Sequence, residues 1–166
     1  MKFLKYSGCI SSDFVGSLVR IDGELTVIKY RDILEKYMLP LVSNRMSPGW
    51  YFQQDNDPKH RAGLLMGERK KLPDGRYVRL PGWFSLNSVK LLRTSAYSAD
   101  TNPIEHIWAF IKYRLRGRRF RNGDYCWEVV KKEWEAIPLD KVIDYVNSMP
   151  RRLRAVRLAK GGPTKY

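Results

Sequence analysis

Cysteine is almost missing from this chain: Cys9 and Cys126 are the only two in 166 residues, and they lie far apart. Neither has a second cysteine or a histidine at zinc-ligand spacing, which excludes a structural zinc site and a disulfide framework. Two reduced thiols in or near a core are expected. Long apolar runs are missing too. No stretch reaches 18 residues, so no membrane-spanning helix is expected. Met1 to Tyr6 lack the apolar core of a secretory signal, and an intracellular protein is the expectation. Internal repeats and low-complexity linkers are also lacking, which leads us to expect a single domain over residues 1–166.

Acidic residues are in deficit. Lysine and arginine total 31 against 17 aspartate and glutamate, a formal net charge of +14, while 43% hydrophobic content argues for a folded chain. A surface this basic calls for a polyanionic partner, most commonly nucleic acid. Ribosomal and membrane-surface proteins share that balance, so the position of the charge matters more. One cluster runs from Lys112 to Arg121 and another from Arg151 to Lys160. Both mix arginine with apolar residues, as helix faces or strand edges do.

Two β-prone stretches, Phe3–Ile10 and Val15–Ile21, flank a turn at Ser11-Ser12-Asp13 and suggest a hairpin. Apolar positions Ile28, Ile33, Leu34, Tyr37, Met38 and Leu41 recur at helical spacing, with Pro40 leaving the last turn of that helix open. Trp50–Gln54 reads as a short buried strand. A helix is expected from about Lys59 to Lys71, stopped by Pro73-Asp74-Gly75, and strands at Tyr77–Leu80 and Val89–Leu92. Asn102 and Pro103 suit the N-cap and first position of a helix to about Arg116. Further helices are expected over Tyr125–Ala136, Leu139–Met149 and Arg151–Ala159, the last ended by Gly161-Gly162. The fold class is α/β with a helical C-terminal part.

Two segments carry candidate chemistry. In Phe52-Gln53-Gln54-Asp55-Asn56-Asp57-Pro58-Lys59-His60, a hydrophobic strand delivers a carboxylate at its C-terminal end, where open α/β sheets place their sites. In Ser98-Ala99-Asp100-Thr101-Asn102-Pro103-Ile104-Glu105-His106-Ile107-Trp108, the cap sets Glu105 in a first helical turn, leaving Ile104, Ile107, Trp108 and Ile111 for the core. Carboxylates so placed can share a divalent cation, since magnesium prefers carboxylate oxygens. The competing reading has Asp55 capping a turn and Glu105 offsetting a helix dipole.

Taken together, these phrases resemble the Tc1/mariner transposase family. So do Ser7-Gly8-Cys9, Ile21-Asp22-Gly23, Tyr30-Arg31-Asp32-Ile33-Leu34-Glu35 with Leu39-Pro40, and the ending Ser148-Met149-Pro150-Arg151-Arg152 through Lys160-Gly161-Gly162-Pro163-Thr164-Lys165-Tyr166. The resemblance implies an RNase H-like mixed sheet flanked by helices, and an Asp-Asp-Glu site that cuts and joins DNA with Mg²⁺ or Mn²⁺. Asp55 matches the second catalytic carboxylate and Glu105 the third, both as metal ligands. The first would lie on a central strand ahead of Phe3–Ile10, and this chain does not include it; Asp13 and Asp22 fall after its place. An incomplete catalytic domain with impaired catalysis and two unpaired sheet edges is therefore implied, as is the lack of the family's helix-turn-helix region. The 49 residues between Asp55 and Glu105 exceed the family's usual interval, and Arg76–Ser88 looks like an insertion. Ala99 and Thr101 stand where proline and leucine are usual.

DNA is the expected partner, with self-association or pairing with a full-length transposase chain as further expectations, no membrane, and a nuclear location. Lys59, His60, Arg114, Arg116, Arg118 and Arg119 are the candidate nucleic-acid contacts by charge and position. His60 suits a phosphate contact or a place near the metal, and reads equally well as an ordinary helix-start residue, while His106 reads as a neighbour of the site or a surface group. Trp83, Trp127 and Trp134 suit core packing better than base stacking. A nucleic-acid-binding protein without chemistry is the alternative function. An inert remnant that does not fold stably is a third reading. A true ribonuclease H would need more acidic residues around the site.

Overall fold

The alternation of β-prone residues around Ser12-Asp13 builds a hairpin from four short strands: β1 (Lys5–Ser7), β2 (Ile10–Ser11), β3 (Phe14–Val15) and β4 (Val19–Ile21). β1 pairs antiparallel with β4, Tyr6 opposite Arg20, and β2 with β3, Ile10 opposite Val15. Between the two ladders Gly8 and Cys9 face Gly16, Ser17 and Leu18. That one-residue mismatch is a β-bulge, which bends the ribbon and turns its side chains over. The computed structural model describes residues 4–55, 57–92 and 101–159. The chain divides into two compact units, Met1–Gly23 with Ala99–Tyr166, and Glu24–Ser98. Cys9 and Cys126 are both free thiols, and burial pushes the Cys9 thiol up to about 11.

In the Glu24–Ser98 unit, Thr26 caps α1 (Val27–Ile33), its side chain accepting from the Lys29 amide. A π-helical turn (Leu34–Met38) follows, and α2 (Leu39–Arg45) carries the helix past Pro40. Proline cannot donate to the carbonyl four residues back and its ring crowds that carbonyl. The π turn accommodates this, the Leu39 amide reaching Leu34 five residues earlier. The same turn resets the buried stripe. Tyr30, Leu34, Met38 and Val42 are buried at a constant spacing of four, whereas Ile28, expected inside, is exposed. A regular helix of 3.6 residues per turn would rotate such a stripe out of the core; the wider π turn holds it in place.

The expected helix over Lys59–Lys71 is not formed. A 3₁₀ turn (Pro58–Arg61) leads to one turn of helix, α3 (Gly63–Met66), then to β5 (Glu68–Lys71), which pairs antiparallel with β6 (Tyr77–Leu80). Gly67 ends α3 at φ 84°, a conformation that L side chains avoid. Pro73-Asp74-Gly75 is thus the turn of a hairpin and not a helix stop, Asp74 accepting from the Arg76 amide and guanidinium. A short α4 (Trp83–Leu86) buries Trp83 and Phe84. Of the expected strands Trp50–Gln54 and Val89–Leu92, only one parallel bridge forms among the described residues, Phe52 to Leu91.

The remaining helices belong to the first unit: α5 (Ile104–Arg114), α6 (Gly123–Glu135), α7 (Leu139–Asn147) and α8 (Met149–Leu158). Asn122 caps α6, and Pro138 and Pro150 open the last two where a missing amide costs nothing. Ile107, Ile111, Val130, Trp134, Ile137 and Val142 form the core, with Ile104 and Trp108 packed against it as the spacing predicts. The expected terminator Gly161-Gly162 lies outside the described residues.

Candidate active site

Asp55 follows the bridged Phe52, and its carboxylate is set by the turn that comes next. Asp57 caps that turn, its Oδ1 accepting from the Lys59 amide at 2.8 Å, and the His60 amide donates to the Asp57 carbonyl at 2.9 Å. His60 is thereby folded back so that its Nδ1 meets Asp55 Oδ1 at 2.5 Å. The imidazole is largely buried, stacked on the Tyr30 ring with centroids 3.9 Å apart. Tyr30 donates its hydroxyl to Gln54 Oε1 at 2.8 Å, and Gln54 Nε2 donates to the His60 carbonyl at 3.0 Å. Tyr30, Gln54, His60 and Asp55 thus form one closed circuit. Sequence reasoning had Tyr30 and Gln54 only as parts of matched phrases; their helical and strand positions carried no sign of a shared role.

The hydrogen bond from His60 is the main reason the Asp55 carboxyl lies below its ordinary value, partly offset by burial, with further help from the Asp57 amide. Asp55 is therefore ionised at neutral pH. Its side chain is 64% exposed, and Oδ2 makes no hydrogen bond among the described residues. An oriented, ionised, half-committed carboxylate fits one ligand place of a hard divalent cation. Among the described residues no three His, Cys, Asp or Glu side chains converge to complete such a site. His60, expected as a phosphate contact, instead turns its ring inward, with Nε2 buried and unpartnered among the described residues. Lys59 beside it is exposed.

Glu105 lies in the other unit, exposed in the first turn of α5, its amide donating to the Asn102 carbonyl at 3.1 Å. The cap itself falls on Pro103, one residue after the expected Asn102, and no side chain caps the helix. Ser98, Ala99 and Asp100 of the same phrase lie outside the described residues. His106 is half-buried and engaged within its own unit. It stacks on Tyr145, and its Nε2 accepts from Nη1 of buried Arg152 at 2.5 Å. Arg152 Nε in turn donates to Ser148 Oγ, and Ser148 to the Tyr145 carbonyl, both at 2.6 Å. Burial first, and then the Arg152 charge, depress the His106 pKa, so the ring is neutral at pH 7.

This has a sign that can be checked. In the unfolded chain His106 takes up a proton near pH 6.5; in the folded chain it does so only at lower pH. Stability is therefore complete above about pH 6.5 and falls as the pH drops towards the folded value. The thermal midpoint should decline from pH 7.5 to 5.5, and His106→Gln should flatten that decline. An equal slope in the variant would show that His106 does not titrate in this way.

The Arg-rich cluster after α5 is divided by an acid the sequence did not flag. Buried Glu133 accepts from Arg114 Nε at 2.9 Å and Arg118 Nη2 at 3.0 Å, and these partners, Arg114 first, hold its carboxyl below the ordinary range. Arg114 and Arg118 thus have a packing role, though about half of each remains exposed. Arg116 and Arg119 are exposed and make no ion pair among the described residues. Trp83 and Trp134 are core residues, and Trp127 is half-buried.

No family model matches the chain. Among curated proteins it is 39% identical over 159 residues to the Tcb1 transposase of Caenorhabditis briggsae, and 36% identical over the same length to the Tc1 transposase of Caenorhabditis elegans. Both matches take in 96% of this chain and 53% of the relative, so the chain spans about half the length of the proteins it matches. Among solved structures, the Mos1 transposase catalytic domain with Raltegravir and Mg superposes on 98% of this chain, and the chain covers 77% of it, with TM-score 0.72 at 14% identity. The Mos1 paired-end complex with left transposon end gives 0.70 at 18% identity, over 93% of this chain and 42% of the other. At those identities the likeness establishes the fold, a mixed α/β arrangement of the RNase H-like kind.

Proposed function

We propose that this chain, a homologue of the Tc1-type transposases along nearly its whole length, is part of the strand-cutting domain of a DNA transposase. One observation carries the reading: Asp55, the residue its motif marks as catalytic, is presented as an ionised, exposed carboxylate by three linked residues, Tyr30, Gln54 and His60. A carboxylate built only to cap a turn has no need of that support. Asp55 and Glu105 are each assigned as a ligand of Mg²⁺ or Mn²⁺, in keeping with the metal in the Mos1 catalytic domain. When bound, such ions activate an attacking oxygen and stabilise a leaving one in phosphoryl transfer. The residues themselves contribute orientation: His60 fixes Asp55 Oδ1 and leaves Oδ2 to the ion, and Tyr30 fixes His60. DNA is the partner, in line with the complex of Mos1 with a transposon end and the net charge of +14, and the nucleus is the place of action.

A second reading, DNA binding without chemistry, needs only the basic surface, the net charge of +14. One assay separates the two. Supercoiled plasmid is incubated with the protein, with and without Mg²⁺, beside the Asp55→Ala, Glu105→Ala double variant. Metal-dependent nicking that the variant loses by a hundredfold or more supports the cutting reading. Nicking that survives in the variant sinks the assignment of both carboxylates. DNA retention without nicking in either protein establishes the second reading.

A further inference from the structure

The hairpin of β5 and β6 has no part in the circuit around Asp55, yet its register sorts its side chains in an unusual way. Arg69 faces Arg79, and Lys71 faces Tyr77, across the antiparallel pair. Residues directly opposite share a face and alternate residues share it again, so Arg69, Lys71, Tyr77 and Arg79 project to one side. Glu68, Lys70, Val78 and Leu80 take the other. The first face therefore holds three cations and an exposed tyrosine with no acid among them.

Like charges directly opposite in a ladder destabilise it. Arg69 and Arg79 sit so, and neither their side chains nor that of Lys71 makes an ion pair or hydrogen bond within the described residues. The neighbouring acid, Asp74, is engaged by Arg76 in the turn. The Arg69 guanidinium lies over the Tyr77 ring at 4.2 Å, which holds its plane steady while its N–H edge stays open. Gly67, Glu68, Arg69, Tyr77, Val78 and Arg79 line an open hollow of about 350 Å³. Three cations set by one strand register, with no acid among them, suit a polyanion that would relieve their repulsion.

We infer that the face formed by Arg69, Lys71, Tyr77 and Arg79 is a DNA-binding surface that grips the phosphates of duplex DNA. The inference rests on the reading of DNA as the partner of this chain. A two-stranded ribbon is an element that a DNA groove admits, and cations without competing acids are what phosphate contacts need. The ribbon also falls in the interval between Asp55 and Glu105, so it follows directly in sequence on the segment that bears the candidate catalytic carboxylate.

The test is binding of a fluorescein-labelled 30-base-pair duplex, read by anisotropy from 50 to 300 mM KCl. Three proteins are compared: the unaltered chain, the triple variant Arg69→Gln, Lys71→Gln, Arg79→Gln, and a charge-matched control, Lys36→Gln, Arg45→Gln, Lys70→Gln, whose three residues are exposed off this face. Each phosphate contact contributes about 0.9 to the slope of log affinity against log salt. The face variant should lose between about 2 and 3 of that slope and bind at least tenfold more weakly at 100 mM, with a melting temperature no lower than that of the unaltered chain. The control should lose much less. Equal losses in both variants, or no loss in the face variant, overturn the inference and leave DNA binding itself standing. Absence of binding by the unaltered chain overturns both.

Discussion

Trp134→Ala should lower the stability of the unit containing the first hairpin by about 3–5 kcal/mol, the cost of deleting a large buried aromatic. About 1 kcal/mol more follows from its hydrogen bond. Trp134 is 2% exposed and belongs to α6, but most of what it holds comes from elsewhere in the sequence. Its ring stacks on Trp108 of α5 with centroids 4.9 Å apart, and its Nε1 donates to the Gly16 carbonyl at 2.7 Å, inside the bulge of the hairpin. A β-carbon on Gly8 would stand 2.6 Å from the indole, so glycine there is a consequence of the ring's position. One side chain thus joins hairpin, α5 and α6. Small domains are stable by only about 5–15 kcal/mol, so this loss should lower the urea midpoint of the far-ultraviolet circular dichroism signal by at least about a quarter. Trp134→Phe keeps most of the volume but orphans the Gly16 carbonyl, and should cost about 1–3 kcal/mol. An unaltered midpoint in Trp134→Ala would show that the hairpin is not held in this way.

Such a contact explains why part of the molecule could be read from the sequence and part could not. Helices α5 to α8 follow local signals: Pro103 stands at the start of one, and Ile107 and Ile111 are buried where their spacing puts them. Asp55 and Glu105 are candidates through long matched phrases. Their surroundings could not be read in this way, because Tyr30 lies 24 residues from its partner Gln54, and Glu133 lies 19 from Arg114. Spacing within one element says nothing of either pairing. Glu68 to Lys71 went astray for another reason. Glu, Arg and Lys are good helix formers, and only the cross-strand partners Tyr77 to Leu80, together with Gly67 at positive φ, override that preference. The stripe on α1 failed by phase, since a π turn cannot be seen in apolar periodicity. His60 was offered either a phosphate contact or a place near the metal, and the cap at Asp57 folds it inward onto Asp55.

Gly82→Ala should be the most damaging single methyl in the Glu24–Ser98 unit. At the root of the second hairpin, a β-carbon on Gly82 would lie 2.1 Å from the Gly67 amide nitrogen and 2.3 Å from the Leu65 carbonyl oxygen. Both neighbours are backbone, so no rotamer change relieves the clash; the two strands must part where they leave α3. Gly82 itself has φ −86°, which any residue adopts, so the penalty is one of space and not of conformation. Overpacking typically costs about 1–3 kcal/mol when side chains can yield, and about 3 kcal/mol or more is expected where they cannot. Gly75→Ala is the matching comparison. Gly75 has φ 85° but nothing within 4 Å of a β-carbon, so it should cost only the left-handed penalty of about 1–2 kcal/mol. The order of the two thermal midpoints is the measurement. Gly82→Ala well below Gly75→Ala would locate the rigidity of the hairpin in its root, which is what lets an otherwise exposed ribbon hold Arg69, Lys71 and Arg79 at fixed spacing. The reverse order would mean that the turn at Pro73-Asp74-Gly75 sets that spacing, and that the root is free to open.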